Sequence, residues 1–462
     1  MSNRTTLIPA AIAALMASGL SLTPTVASAA GLEPIEELGR QIFFDTQLSL
    51  RKNQSCASCH VPEAGWVGKD SKINEAGGVY EGSIAGEFGN RKPPSSAYAT
   101  LAPIFYVNGD DPEEPLFVGG NFWDGRATGW KLGNPAADQA QGPFLNPVEQ
   151  ALPDNACVVY RVCEGAYGDL ADAVWGPEVC AIDWRNQGTV NNQCVKPDGR
   201  VALSDADRAK VDAAYDQVAL AIAAFEDSPA SNAFTSKIDA VRAGLATFTA
   251  LEARGRDIFR TIESTATTPA GKCILCHVGS PPDGPAPLFT DFTFDNLGVP
   301  KNPLNPFSIA NSDWADPGLG GFLATLDAYD EYASANLGKH KVPTLRNVGL
   351  GSCESLEYDD PTAPKPSKCV TKAYMHNGYF KSLWQVVHFY NTRDVKPVCP
   401  GDFTVEEALA FDNGEGCWPA PEVAENVNTD ELGNLNLTSA EELALVAFMM
   451  AMSDGYYSPT AP

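Results

Sequence analysis

The sequence predicts a mainly α chain with long loops, built from two similar units. Three observations carry this. The pentad Cys-x-x-Cys-His occurs twice, as Cys56–His60 and Cys273–His277. Each copy follows a similar helical segment, LGRQIFF at 38–44 and ARGRDIF at 253–259. The spacings from Gly39 to Cys56 and from Gly255 to Cys273 differ by one residue, so the unit reads as duplicated. Finally, residues 61–120 are rich in Gly and Pro with only short apolar runs, which argues for loops draped around a large group rather than a regular sheet.

In chain order, residues 1–30 read as a cleavable secretory signal: Arg4, an apolar run from Leu7 to Leu22, and a small-residue end at Ala27, Ser28 and Ala29, with cleavage expected near 29–31. Ser18 and Pro24 interrupt the run, and no later segment is long and apolar enough to span a bilayer. A periplasmic location without a membrane span follows as the expectation. Pro34 to Asp45 is predicted helical, with Ile35, Leu38, Ile42 and Phe43 on its apolar side. Residues 151–203 hold four cysteines and read as a stapled insertion. A strong helix follows from Ser204, its N-cap, to about Phe225, with Asp205 and Asp207 in the first turn. A helix is expected over Lys381 to Asn391, and a last one starts at the capping box Thr438 to Glu441. The expected division is a signal at 1–30, a first unit at 31–203 with the Cys-rich insertion 151–203, and a second unit at 204–462.

The pentad carries the chemistry. Two cysteines separated by two residues match the two vinyl groups of haem, and the following histidine is placed to bind the iron. One copy alone could be a zinc or redox site; two copies behind matching helices point to two covalently bound c-type haems, held by Cys56, Cys59 and His60 and by Cys273, Cys276 and His277. The two units are therefore expected to be cytochrome c-like haem domains. The other eight of the twelve cysteines form an even set in loop-like stretches, so up to four disulfides in an oxidising compartment are expected, with Cys353–Cys369 and Cys399–Cys417 the simplest local pairs.

The formal charge is −26, and removing Arg4 with the signal makes it one unit more negative. Such a surface disfavours nucleic acid and anionic membrane and favours a partner with a basic face; it also serves plain solubility.

The ligand inventory is the most informative step. The chain has five histidines and six methionines, and none of either lies between His60 and His277. The first iron is thus expected to have an open face able to bind hydrogen peroxide, whereas the second has ligand candidates. On the helix over 381–391, Leu383, Val387 and Tyr390 share one face and His388 lies with Trp384 and Asn391 on another, so Tyr390 points inward and His388 outward. Met375 is the rival ligand.

With these residues in hand, SCASCH, WDGRA, QAxGPxxNPxE, KVPTLRNV and MHNG followed by a helix resemble, in order and over nearly the whole mature chain, the di-haem cytochrome c peroxidase and MauG superfamily. The resemblance implies that Trp123 lies between the haems, that Gln139 and Glu149 are the polar pair over the peroxide-binding face, that Pro143 lines that pocket, and that His376 is the histidine near the second haem. Tyr390, where ordinary peroxidases carry a methionine ligand, matches the MauG-like branch. That branch uses a high-valent di-haem state to oxidise a partner protein, such as a tryptophan of a copper-binding protein. The alternatives are a periplasmic peroxidase that reduces peroxide with electrons from a small cytochrome or cupredoxin, and a non-enzymatic di-haem electron carrier, which the empty ligand set of the first unit counts against. Three departures stand out. Six extra residues before Gln139 make Trp130 a competitor of Trp123. Gly271 replaces a tryptophan near the second pentad, leaving Trp384, Trp314 and Trp175 as exits for an oxidising equivalent. The family's calcium between the haems would use the carbonyls of Thr371 and Ala373, but its asparagine falls at Lys92 or, with a shift, Asn90.

Overall fold

In the computed structural model, residues 31–109, 115–281, 284–354 and 369–457 are described, and they are mainly helical with two small antiparallel pairs of strands. The signal expected over residues 1–30 lies outside the described residues. Helix α1 (Pro34–Phe44) starts at a capping box between Glu33 and Glu36 and buries Leu38, Gly39, Ile42 and Phe43, close to the predicted face. Helices α2 (Pro135–Ala140) and α3 (Asn155–Cys163) follow, and α4 (Asp205–Asp227) is capped by Ser204, whose side chain accepts from the Asp207 amide. Helix α5 (Ala250–Arg260) precedes the second pentad; α6 (Leu383–Thr392) and α7 (Ser439–Met450) complete the set that positions the site. Strands β1 (Tyr106–Asn108) and β2 (Leu116–Val118) pair, as do β3 (Phe294–Asp295) and β4 (His340–Lys341).

Two crossings organise the molecule. Helix α1 packs on α4 so closely that a Cβ on Gly39 would lie 1.8 Å from the carbonyl oxygen of Ala221, and α5 packs on α7 so that a Cβ on Gly255 would lie 1.8 Å from that of Ala444. Only glycine permits such backbone contact. Over each crossing sits an aromatic trio. Phe43, Trp66 and Phe225 have ring centroids 5.4 to 5.8 Å apart, and Phe259, Phe289 and Phe448 have theirs 5.3 to 6.4 Å apart. The duplication read from the pentads therefore extends to the helix packing.

This packing corrects the expected boundary at residue 204. Helix α4 contributes Val211, Val218, Ile222 and Phe225 to the same core as Leu38 and Phe43, because the apolar stripe of α1 packs chiefly on α4. The first packing unit accordingly runs through α4, and the second, built on α5, α6 and α7, forms a separate core. Residues 151–203 are likewise more than an appendage: Ala156, Val158, Val159 and Val162 of α3 are fully buried in the first core. Four disulfides are formed, Cys157–Cys194, Cys163–Cys180, Cys353–Cys369 and Cys399–Cys417, including both expected local pairs. No helix among the described residues is long and apolar enough to cross a membrane.

Candidate functional site

The four cysteines outside disulfides are the pentad cysteines Cys56, Cys59, Cys273 and Cys276. Both pentad histidines open onto one continuous cavity, which encloses about 2400 Å3 of space not filled by protein atoms, part of it open to solvent. The ring orientation is set the same way twice. His60 Nδ1 lies 3.1 Å from the Trp66 carbonyl and His277 Nδ1 lies 2.8 Å from the Phe289 carbonyl, and Trp66 and Phe289 both adopt positive φ to present that oxygen. A carbonyl on Nδ1 fixes the tautomer that leaves Nε2 as the metal-binding atom. Burial lowers the basicity of both rings, His60 to about 4, which keeps the imidazoles neutral as ligands must be. Paired thiols, a pinned imidazole and a shared cavity fit a c-type haem at each pentad.

The cavity wall gathers residues from distant parts of the chain. Trp123, 9 % exposed, lines it, donates from Nε1 to the Lys92 carbonyl at 2.8 Å, and accepts on its own carbonyl from the Lys341 amide. Trp130 does not compete for this position: it is 50 % exposed and its Nε1 is bound to the Phe105 carbonyl. Gln139 lines the cavity from α2. Pro143 and Glu149 are not on its wall. Pro143 sits in the short turn after α2, its carbonyl bonded by the Gln150 amide. Glu149 is half-buried and held by the Asn146 side chain; its charge acts on Cys56 and Cys59, and burial raises its carboxyl above the ordinary range.

On the other side, Tyr390 and Met375 both line the cavity. The Tyr390 hydroxyl faces the cavity with no hydrogen bond to the described residues, and burial, with the nearby Cys276 and Cys273, pushes its pKa well up. His388 points away from the cavity as expected, although into a polar cluster rather than solvent: Glu442 accepts from Trp384 and Asn391 and lies 2.9 Å from His388 Nδ1. Trp384 is thereby fixed on α6 beside the second core, and like Trp314 and Trp175 it lines no part of the cavity.

His376 also lines the cavity, stacked on His340 at 3.7 Å. Each ring leans on a carboxylate, His376 on Glu422 at 3.1 Å and His340 on Asp316 at 3.4 Å. Arg91 binds Asp316 and Asp124 at 2.6 Å each, tying the loop around Asp316 in the second unit to the WDGR loop of the first. Sequence reasoning missed Glu226, a carboxyl on the cavity wall at the end of α4, 3 % exposed, with Oε2 unpartnered among the described residues and its pKa raised to about 8 by burial. Aligning α4 with α7 through Phe225 and Phe448 would have found it, because the next residue is Glu226 in one and Met449 in the other.

Of the residues expected at a calcium site, the Thr371 carbonyl accepts from Asn74 Nδ2 at 2.8 Å and the Asn90 carbonyl accepts from Asn305. Lys92 and Lys372, both buried, lie on the cavity wall.

A family model described as di-haem cytochrome c peroxidase matches residues 33–247. The methylamine utilization protein MauG of Paracoccus denitrificans is 32 % identical over 450 residues, covering 95 % of this chain and 94 % of that protein. Among solved structures, the diheme peroxidase BthA of Burkholderia thailandensis is 25 % identical with a TM-score of 0.64, over 92 % of this chain and 88 % of that one. A MauG-like protein associated with microbial copper homeostasis shares the fold at a TM-score of 0.54 and 19 % identity, over 92 % of this chain and 91 % of that one. With a relative this similar along nearly its full length, the chain belongs to the di-haem cytochrome c peroxidase and MauG family of oxidoreductases.

Proposed function

We propose that the protein uses hydrogen peroxide to oxidise a partner protein in the periplasm, in the manner of the MauG-like branch. Each packing unit would hold one c-type haem, the first through Cys56, Cys59 and His60 and the second through Cys273, Cys276 and His277. When bound, the two haems supply the redox chemistry: peroxide reduction at the first, and storage of oxidising equivalents shared with the second. The observation that carries this reading is the asymmetry of the cavity wall. The first unit offers no histidine or methionine beyond its pentad, while the second offers Tyr390 and Met375 on the cavity wall.

The chain's own residues then have distinct tasks. Gln139 orients peroxide from α2. Glu149, its pKa raised by burial, takes a proton from one peroxide oxygen and returns it to the other through a water, since it stands back from the wall. Trp123 joins the halves, because one side of it bonds Lys92 and the other bonds the Lys341 amide. Tyr390 would hold the iron of the second unit, with Met375 the rival. His376 holds its place beside it through Glu422. Four disulfides suit an oxidising compartment and so an exported protein.

The likeness to MauG and to a copper-associated fold relative supports a protein substrate; a tryptophan of a copper-binding partner is the specific candidate. The likeness to BthA supports the second reading, a peroxidase drawing electrons from a small cytochrome or cupredoxin. Mixing the holoprotein and peroxide with an exported protein encoded beside it, and reading intact mass, separates the two. A peroxide-dependent mass gain on the partner supports modification. Fast oxidation of a reduced cytochrome with no mass gain on any partner sinks it.

A further inference from the structure

The indole N–H groups of this chain end on different kinds of partner. Trp123 and Trp130 donate to backbone carbonyls and Trp418 to the Thr392 hydroxyl, while the N–H groups of Trp175 and Trp184 are buried without a partner. Among the described residues, Trp384 alone sends its N–H to a carboxylate, Glu442 Oε2 at 3.1 Å. That side chain is buried on the first turn of α7, and its other oxygen lies 2.7 Å from Asn391 Nδ2 and 2.9 Å from His388 Nδ1. Trp384 also stacks on His388, ring centres 5.0 Å apart and planes within 14°. On α6, Leu383, Val387 and Tyr390 face the cavity. The indole lies around the helix from them, within one helix diameter, roughly 10 Å.

We infer that Trp384 is a redox-active residue that holds one oxidising equivalent, and that Glu442 is the positioning residue that lets it do so. This role rests on the peroxide chemistry proposed above and names where an equivalent waits for the partner. An indole that loses an electron becomes a cation and an acid at Nε1. A carboxylate on that nitrogen offsets the new charge, which away from water is costly to leave alone, and accepts the proton. Trp384 gives one electron to the oxidised centre in the cavity; its Nε1–H bond breaks and an O–H bond forms at Glu442 Oε2. Two electrons delivered in this way, with two protons, convert one hydrogen peroxide to two waters. An electron from the partner's side chain then restores the indole, and Glu442 returns the proton. Asn391 and His388 hold the carboxylate in register. Trp123 is placed differently: its N–H meets the neutral Lys92 carbonyl, and Lys92 Nζ lies 5.9 Å from its ring centre, so a cation there is opposed rather than offset.

Freeze-quench EPR of the holoprotein mixed with peroxide, with no partner present, tests this. Beside the haem signals an organic radical is expected, whose line narrows when the protein is grown on ring-deuterated tryptophan. Trp384→Phe is expected to abolish it with both haems still attached by mass, while the change in haem absorption on adding peroxide persists. Glu442→Gln is expected to shorten its lifetime by about tenfold or more, the worth of one charge-assisted hydrogen bond. A parent whose haem absorption ignores peroxide would overturn the functional reading and this role together. A normal haem response with no tryptophan radical, or with a radical that survives in Trp384→Phe, would overturn the role of Trp384 alone. A lifetime unmoved in Glu442→Gln would remove Glu442 from it.

Discussion

The two packing units are built by one rule and finished by two. In both, a glycine lets helices touch backbone to backbone, an aromatic trio covers the crossing, and an aromatic residue at positive φ turns its carbonyl onto the pentad histidine. The scaffold that attaches a cofactor is thus repeated down to single atoms. What differs is the wall facing it. The first unit brings Gln139 and Glu226, the second Tyr390, Met375 and Met449. Duplication preserves attachment, and the free face is where the units part, which locates function in the residues that do not repeat.

The comparison can be broken first at its chemical end. Glu149→Gln is expected to slow the peroxide reaction by about 10²–10⁴, the usual worth of a positioned acid–base group, in stopped-flow mixing with peroxide. In the parent protein the same rate should rise with pH through a value above the ordinary carboxylate range, since burial raises Glu149 and the base form is the active one. A variant as fast as the parent removes Glu149 from the mechanism.

Next comes the opposite wall. Tyr390→Phe is expected to cost partner oxidation more than the roughly 10–100-fold typical of losing a group behind a metal ligand, while attachment at both pentads survives in the mass spectrum. Tyr390→His should keep the second iron low-spin and raise its potential. An unchanged ferric spectrum in Tyr390→His would assign the ligand to Met375.

The shared scaffold is tested by Gly39→Ala and Gly255→Ala. Each should cost about 3 kcal/mol, the upper end of ordinary overpacking, because the new methyl meets a backbone oxygen that cannot rotate away. Denaturant midpoints should fall similarly for both; a loss in one alone would show that the crossings are not equivalent.

The smallest effect concerns Glu226 against Met449. Burial raises the Glu226 carboxyl from 4.5 to about 8 in the folded chain. Between those values the unfolded chain has released the proton and the folded chain still binds it, so stability falls as pH rises through this window and levels off above it. Glu226→Gln should flatten that slope in melting temperatures taken from pH 5 to 8. A slope identical to the parent's would mean that the carboxyl is satisfied in the holoprotein.

Much of this was legible in the sequence because it repeats or is local. The pentads, the helices behind them and two of the three short-range disulfides are set by neighbouring residues, and the face of α6 carrying Tyr390 follows from helical periodicity. The end of the first unit was not legible, since Ser204 caps a helix whether that helix opens a new unit or closes the old one; only its packing on α1 decides. Pro143 and Glu149 were brought to the right neighbourhood by the resemblance, but the turn at Asn146 sets them back from the wall. The burial of Lys92 and Lys372 was not legible, because a buried ammonium leaves the same mark in a sequence as an exposed one.

The central claim is that one half leaves its cofactor with a vacant face and the other closes it with a phenolate. Low-temperature EPR of the resting ferric holoprotein tests it most directly. One high-spin and one low-spin species are predicted, and two low-spin species assignable to fully ligated irons would contradict it.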